Sequence, residues 1–128
     1  MKLKFQSISS SNMMKDQPEQ IFETDWIDYS EEVKDKFLVI EFIDQTNTHH
    51  HLEISSDEIN FKYGEQKVHM TLQNREKGLF KNPVKDIFFD WYLKSVFMSK
   101  EVIKFNYDIL VDDQIITSNA VVIETKNI

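Results

Sequence analysis

The strict alternation between Val102 and Val111 constrains this chain more than any other feature. Ile103, Phe105, Tyr107, Ile109 and Val111 take every second position, with Lys104, Asn106 and Asp108 between them. Successive side chains of an extended strand point to opposite faces, so these five share one face. Asp112-Asp113 supplies a turn, and a second apolar-rich run extends from Ile115 to Ile123. The C-terminal part therefore reads as a hairpin that turns Phe105, Tyr107 and Ile109 inward.

Similar patterns recur upstream. Leu3 and Phe5 alternate with Lys2, Lys4 and Gln6 as a first strand, and Ser9 to Gln20 reads as a polar loop. Gln20 to Tyr29 reads as one strand, with Phe22, Thr24 and Trp26 on one face and Ile21, Ile27 and Tyr29 on the other. Glu31 to Lys36 is a charged turn. Phe37 to Ile43 is almost continuously apolar, as in a strand covered on both sides. Thr48 to Ile54, Glu58 to Tyr63 and Lys67 to Gln73 follow, with Gly64 breaking a connection where positive φ is easiest. Ile87 to Leu93 fits two patterns. Asp86, Asp90 and Lys94 stand four apart, as on a helix face, whereas Ile87, Phe88, Phe89, Trp91 and Tyr92 favour strands. Strand is the reading taken.

About eight or nine strands at intervals of roughly 8–15 residues, without a long helix, indicate an all-β chain. At 128 residues it suits a single domain, 1–128. The expected architecture is an antiparallel up-and-down barrel or a meander sandwich. An eight-stranded barrel is just wide enough to be filled by side chains or to hold one small ligand. Ten Phe, four Tyr and two Trp suit either interior.

Composition narrows the function classes. With no cysteine there is no disulfide, thiolate metal site or Cys nucleophile. The N-terminus lacks the apolar stretch of a signal peptide, and no apolar run approaches the ~20 residues of a membrane span. A soluble, cytoplasmic protein is the expectation. The net charge of −7 lies in the first half: residues 1–64 hold 6 Lys and 13 Asp or Glu, and residues 65–128 hold 9 basic and 9 acidic groups. Phosphate backbones and anionic membranes need clustered cations, so nucleic acid and membranes are disfavoured partners. The one basic cluster, Arg75, Lys77, Lys81 and Lys85, reads as a solvated loop. With two glycines and two prolines, turns fall to Asp44–Asn47, Ser55–Asp57 and Asp112–Asp113.

The hairpin carries a resemblance. Phe105-x-Tyr107-x-Ile109, then Asp112-Asp113, then Asn119-x-Val121-x-Ile123 resembles the ending of the YwiB-like, calycin-like barrels, small bacterial proteins of unknown function. Val68-x-Met70 with Gly78-x-Phe80 resembles that family's central strand and its Gly-containing turn, and Leu3-x-Phe5-x-Ser7 its first strand. Pro83-Val84-Lys85 departs from the family's Pro-aromatic-Gly turn. The resemblance implies a lipocalin-shaped antiparallel barrel and no catalytic residue.

Few constellations carry chemistry. On a strand, His49 and His51 would share a face and His50 the other. The first two could hold two positions of a metal site, with His69 or Glu53 as third ligand, or the cluster could respond to pH near neutrality. Solvated histidines at a strand edge or loop are the favoured reading, and no metal or cofactor is expected. His69, Thr71 and Gln73 form the polar face of their strand, which could read a ligand or simply be wet. Glu41 shares a face with Phe37, Val39 and Ile43 and faces either inward or an edge open to water. Asp108, opposite Tyr107, suggests solvent. Asp86 with Asp90 and Glu31 with Glu32 have no partner suggesting acid–base work. No nucleophile elbow, phosphate-cradling glycine loop or HExxH motif is present, so an enzyme is disfavoured.

Two functions follow. The first is non-enzymatic binding of a small apolar or amphipathic molecule in the barrel, lined by Phe61, Tyr63, Met70, Phe89, Trp91, Phe105, Tyr107 and Ile109, with the Tyr107 hydroxyl fixing orientation. The second is a side-chain-filled barrel acting as a self-association or protein-interaction module through Phe88 to Phe97.

Overall fold

The computed structural model describes residues 1–12, 18–80, 84 and 87–126, Phe80 by its backbone alone. The described residues form twelve strands and no helix. They are β1 (Lys2–Ser11), β2 (Gln20–Glu23), β3 (Ile27–Asp28), β4 (Ser30–Lys34), β5 (Phe37–Ile43), β6 (His49–Ile54), β7 (Glu58–Tyr63), β8 (Gln66–Thr71), β9 (Arg75–Phe80), β10 (Ile87–Met98), β11 (Val102–Val111) and β12 (Gln114–Lys126). Strands β2-β1-β12-β11-β10-β9 make one antiparallel sheet, with β3 also on β1, and β4-β5-β6-β7-β8 make a second. Among the described residues no helix is long and apolar enough to cross a membrane.

Sequential hairpins dominate, and their turns use residues that tolerate a left-handed backbone. Asp35-Lys36, Gly64-Glu65 and Asp112-Asp113 join β4–β5, β7–β8 and β11–β12, with φ of 56°, 58° and 55° at the first residue of each. Inward residues of both sheets meet in one core that includes Leu3, Ile40, Ile54, Ile59, Met70, Leu93, Phe105 and Ile123. The sheets also touch through backbone. Leu72 bridges Leu93 in parallel, and the Gln73 amide donates to the Leu93 carbonyl at 2.8 Å.

Several elements depart from the sequence pattern. Twelve strands replace the expected eight or nine because one predicted strand subdivides and two assumed turns pair. Gln20 to Tyr29 is broken after Glu23. The Thr24 amide donates to the Phe5 carbonyl at 2.9 Å, and the Thr24 hydroxyl accepts the Phe5 amide at 3.0 Å. This buried exchange resets the alternation, so Phe22, Ile27 and Tyr29 all pack against the core. The Glu31–Lys36 turn is instead strand β4 followed by Asp35-Lys36. Much of the assumed Arg75–Lys85 loop is β9, where Arg75 reaches Asp90 and Asp113. Lys81, Lys85, Pro83 and Asp86 lie outside the described residues. The Ser9–Gln20 loop starts later than expected, since β1 runs to Ser11.

Ile87 to Leu93 is strand, within the longer β10. A bulge between Leu93 and Ser95 shifts the register, so that Val96, not Ser95, lies opposite Phe105. β5 is covered on both faces only in part: Val39 is buried, but Ile43 is exposed. Gly78 is not in a turn. It sits within β9 opposite Phe89, and a Cβ there would overlap the Trp91 ring. Asp108 is not in solvent either. It is 5% exposed, and its Oδ1 lies 3.0 Å from Lys94 Nζ, the residue at the bulge. Extra backbone at the bulge brings this lysine over the otherwise outward carboxylate.

Candidate functional site

Strand β6 divides its histidines between two faces. His50 turns inward, where its Nε2 lies 2.7 Å from Asp44 Oδ2. The two side chains are 12% and 3% exposed. Asp44 ends β5 and organises the loop into β6. Its Oδ1 accepts the Thr46 amide at 2.8 Å, the Thr46 hydroxyl at 2.6 Å and the Thr48 amide at 3.1 Å. The loop closes through the Asn47 amide on the Asp44 carbonyl, with Asn47 at φ 64°. A short acidic side chain suits this position because it offers two acceptor oxygens close to its own backbone. Burial alone would push the Asp44 carboxyl up. The hydrogen bonds from Thr46, His50 and the Thr48 and Thr46 amides outweigh it and hold the carboxyl down at about 2. The ionised carboxylate accepts the His50 Nε2–H.

Aromatic rings surround this pair. His50 stacks on Phe42 at 4.5 Å between centroids and 7° between planes, with Phe5 at 5.6 Å and Tyr63 at 6.2 Å. Beside it lies a cavity of about 350 Å³, walled by Phe5, Phe22, Leu52, Phe61, Phe105, Val121 and the two tyrosines Tyr63 and Tyr107. Ser7 contributes a small side chain where the β1 alternation of Leu3 and Phe5 would otherwise place a third large one. Thr46, Thr48 and Lys62 also line it, and Thr46 and Lys62 are exposed at its mouth. Burial pushes the Tyr107 phenol well above its ordinary range, and the nearby Tyr63 adds to the effect. Burial also raises Tyr63. Both therefore keep their protons at neutral pH.

The eight lining residues expected from the sequence separate into two groups. Phe61, Tyr63, Phe105 and Tyr107 line the cavity. Met70 and Trp91 are buried in solid core, and Phe89 and Ile109 pack against that core. Sequence reasoning missed Asp44, treated only as a turn residue, and the inward role of His50. The signal was available: an acidic residue follows the apolar strand, with Thr46 and Thr48 just beyond and His50 six positions on. A wider, open trough of about 690 Å³ on the surface includes Lys2, Trp26, Asp28, Tyr29 and His49. The Lys2–Asp28 ion pair at 2.8 Å occupies its edge.

His49 and His51 do share the opposite, outer face. Glu41 joins them, with Oε2 3.3 Å from His49 Nε2 and Oε1 2.8 Å from His51 Nδ1. Of its two open readings, Glu41 therefore takes the outward, wet one, and the hydrogen bond from His51 leads in lowering its pKa. Glu53 lies 3.4 Å from His51 Nε2, whereas His69 pairs separately with Asn60 and Glu58. Among the described residues no group of three or more His, Asp or Glu side chains is arranged to hold a metal ion. The polar face of β8 that carries His69 is likewise outward, since Val68 and Met70 are the buried residues of that strand.

No family model matches the chain, and no curated protein matches its sequence. Among solved structures, the fold is similar to the crystal structure of ywiB protein from Bacillus subtilis. The TM-score is 0.70 at 12% sequence identity, over 98% of this chain and 91% of that one. At this identity the likeness concerns the fold alone. It agrees with the resemblance carried by the C-terminal hairpin.

Proposed function

We propose that this chain is a non-enzymatic cytoplasmic binding protein whose two sheets wrap as one calycin-like barrel around a small apolar or amphipathic ligand. The observation that carries the reading is the cavity of about 350 Å³. Ligand pockets range from roughly 300 to 1,000 Å³, are mostly apolar and carry a few placed polar groups. Phe5, Phe22, Leu52, Phe61, Phe105 and Val121 supply the apolar wall. Burying ligand surface there contributes about 25 cal/mol per Å². Asp44 and His50 brace the loop at the mouth through interactions they make with each other, which suits a structural role better than turnover.

Native mass spectrometry of freshly purified protein tests this. A retained mass that disappears in Val121→Phe, which fills the cavity, supports the reading. Protein that carries no added mass and takes up no apolar probe sinks it.

A second reading, self-association, draws on Phe88 and Phe97. They are 74% and 57% exposed on the outer side of β10, the segment the sequence marked for partner contacts. Sedimentation equilibrium showing a dimer that Phe97→Ser dissociates would favour it.

A further inference from the structure

The polar groups of the cavity are unequally satisfied, and the imbalance bears on ligand chemistry. Asp44 is the one carboxylate among the lining residues, and both of its oxygens are engaged, Oδ1 by three donors and Oδ2 by His50. The Tyr107 and Tyr63 hydroxyls, in contrast, have no hydrogen-bond partner among the described residues. Both tyrosine side chains line the cavity that a ligand would occupy. A phenol donates a hydrogen bond strongly and accepts one weakly. Lys62, on the same lining, adds a positive charge near the mouth.

We infer that the cavity selects an apolar molecule bearing a strong acceptor, a carbonyl or carboxylate oxygen, which the Tyr107 hydroxyl reads with Tyr63 beside it. The inference rests on the binding reading above and narrows it. A ligand of hydrocarbon alone leaves the Tyr107 phenol unpaired, and a cationic one meets the charge of Lys62 near the mouth.

Equilibrium dialysis of naphthalene, 2-acetylnaphthalene and 2-naphthoate tests it, against the unaltered protein, Tyr107→Phe and Tyr63→Phe. At least one oxygen-bearing probe is expected to bind about three- to tenfold tighter than naphthalene, the range of one net hydrogen bond. Tyr107→Phe should abolish that margin, bringing the ratio of oxygen-bearing to naphthalene affinity to about one. Tyr63→Phe should narrow it. Whether the ketone or the acid holds the margin identifies the oxygen. Equal binding of all three probes by the unaltered protein overturns the acceptor inference and leaves the binding reading standing. Failure of all three, naphthalene included, overturns both.

Discussion

Around Trp91, Met70 and Leu93 the side chains fill the space between the sheets, whereas around His50, Tyr63 and Tyr107 they leave about 350 Å³ open. Both regions come from the same alternating strands, and β11 feeds each of them. The difference lies in a few volumes. In the packed region Gly78 gives up its side chain so that the Trp91 ring can lie against the β9 backbone. In the open region Ser7 withdraws bulk, and a charged loop residue, Asp44, stands at the strand end where an apolar one would fill space. Protein interiors are close-packed by default. A hollow of this size beside a solid core is therefore a local property of named residues.

The comparison can be broken in several places. The largest expected effect belongs to the packed region: Gly78→Val drives a side chain into Trp91 and should cost about 3 kcal/mol or more in urea unfolding. A milder result would mean that Trp91 can swing into other space, and the two regions would not be distinct. Next, Met70→Ala should cost about 2–5 kcal/mol, because a fully buried side chain leaves a new void. Phe61→Leu, on a wall already facing open space, should cost only about 1 kcal/mol. Equal costs would remove the contrast.

Asp44 gives a pH-dependent effect. Its carboxyl sits at about 2 in the folded protein against 3.8 ordinarily. A depressed carboxylate stabilises the fold above its unfolded pKa, and that contribution is lost as pH falls through the folded value. The stability advantage over Asp44→Asn should thus be constant near neutrality and shrink between about pH 4 and pH 2. Chemical denaturation at stepped pH measures it, and an advantage that persists below pH 2 would contradict the assigned hydrogen bonds. The smallest effect is expected for Tyr107→Phe without ligand. Its hydroxyl has no described partner, so the change in stability should stay below about 0.5 kcal/mol. A loss of 1 kcal/mol or more would show that the hydroxyl serves the fold.

Much of the framework was legible. Val102 to Val111 and the returning strand pair about the Asp112-Asp113 turn, with an irregularity between Ile109 and Leu110 that shifts the register so that Phe105 lies opposite Val121. The same period also identified the inward residues of β7 and β8, Phe61 and Met70 among them. Legibility failed where parity is reset. Thr24 interrupts β2 by trading hydrogen bonds with Phe5, a residue 19 positions away, and no local pattern announces such a partner. The β10 bulge similarly brings Lys94 over Asp108. Of the site, Phe61, Tyr63, Phe105 and Tyr107 were readable as inward aromatics. The Asp44–His50 pair was not, because His50 was weighed only as one of three adjacent histidines.

By itself the sequence determined the class, most of the strands and, where alternation is strict, which face is apolar, because a period of two is a local property of extended backbone. Only the tertiary structure decided which inward residues meet neighbours and which meet space. That outcome depends on volumes and hydrogen bonds contributed by strands far apart in the chain. The alternation of Val102 to Val111 makes Phe105 and Tyr107 inward. It is Ser7, Asp44, Leu52 and Val121 that leave them a cavity to face.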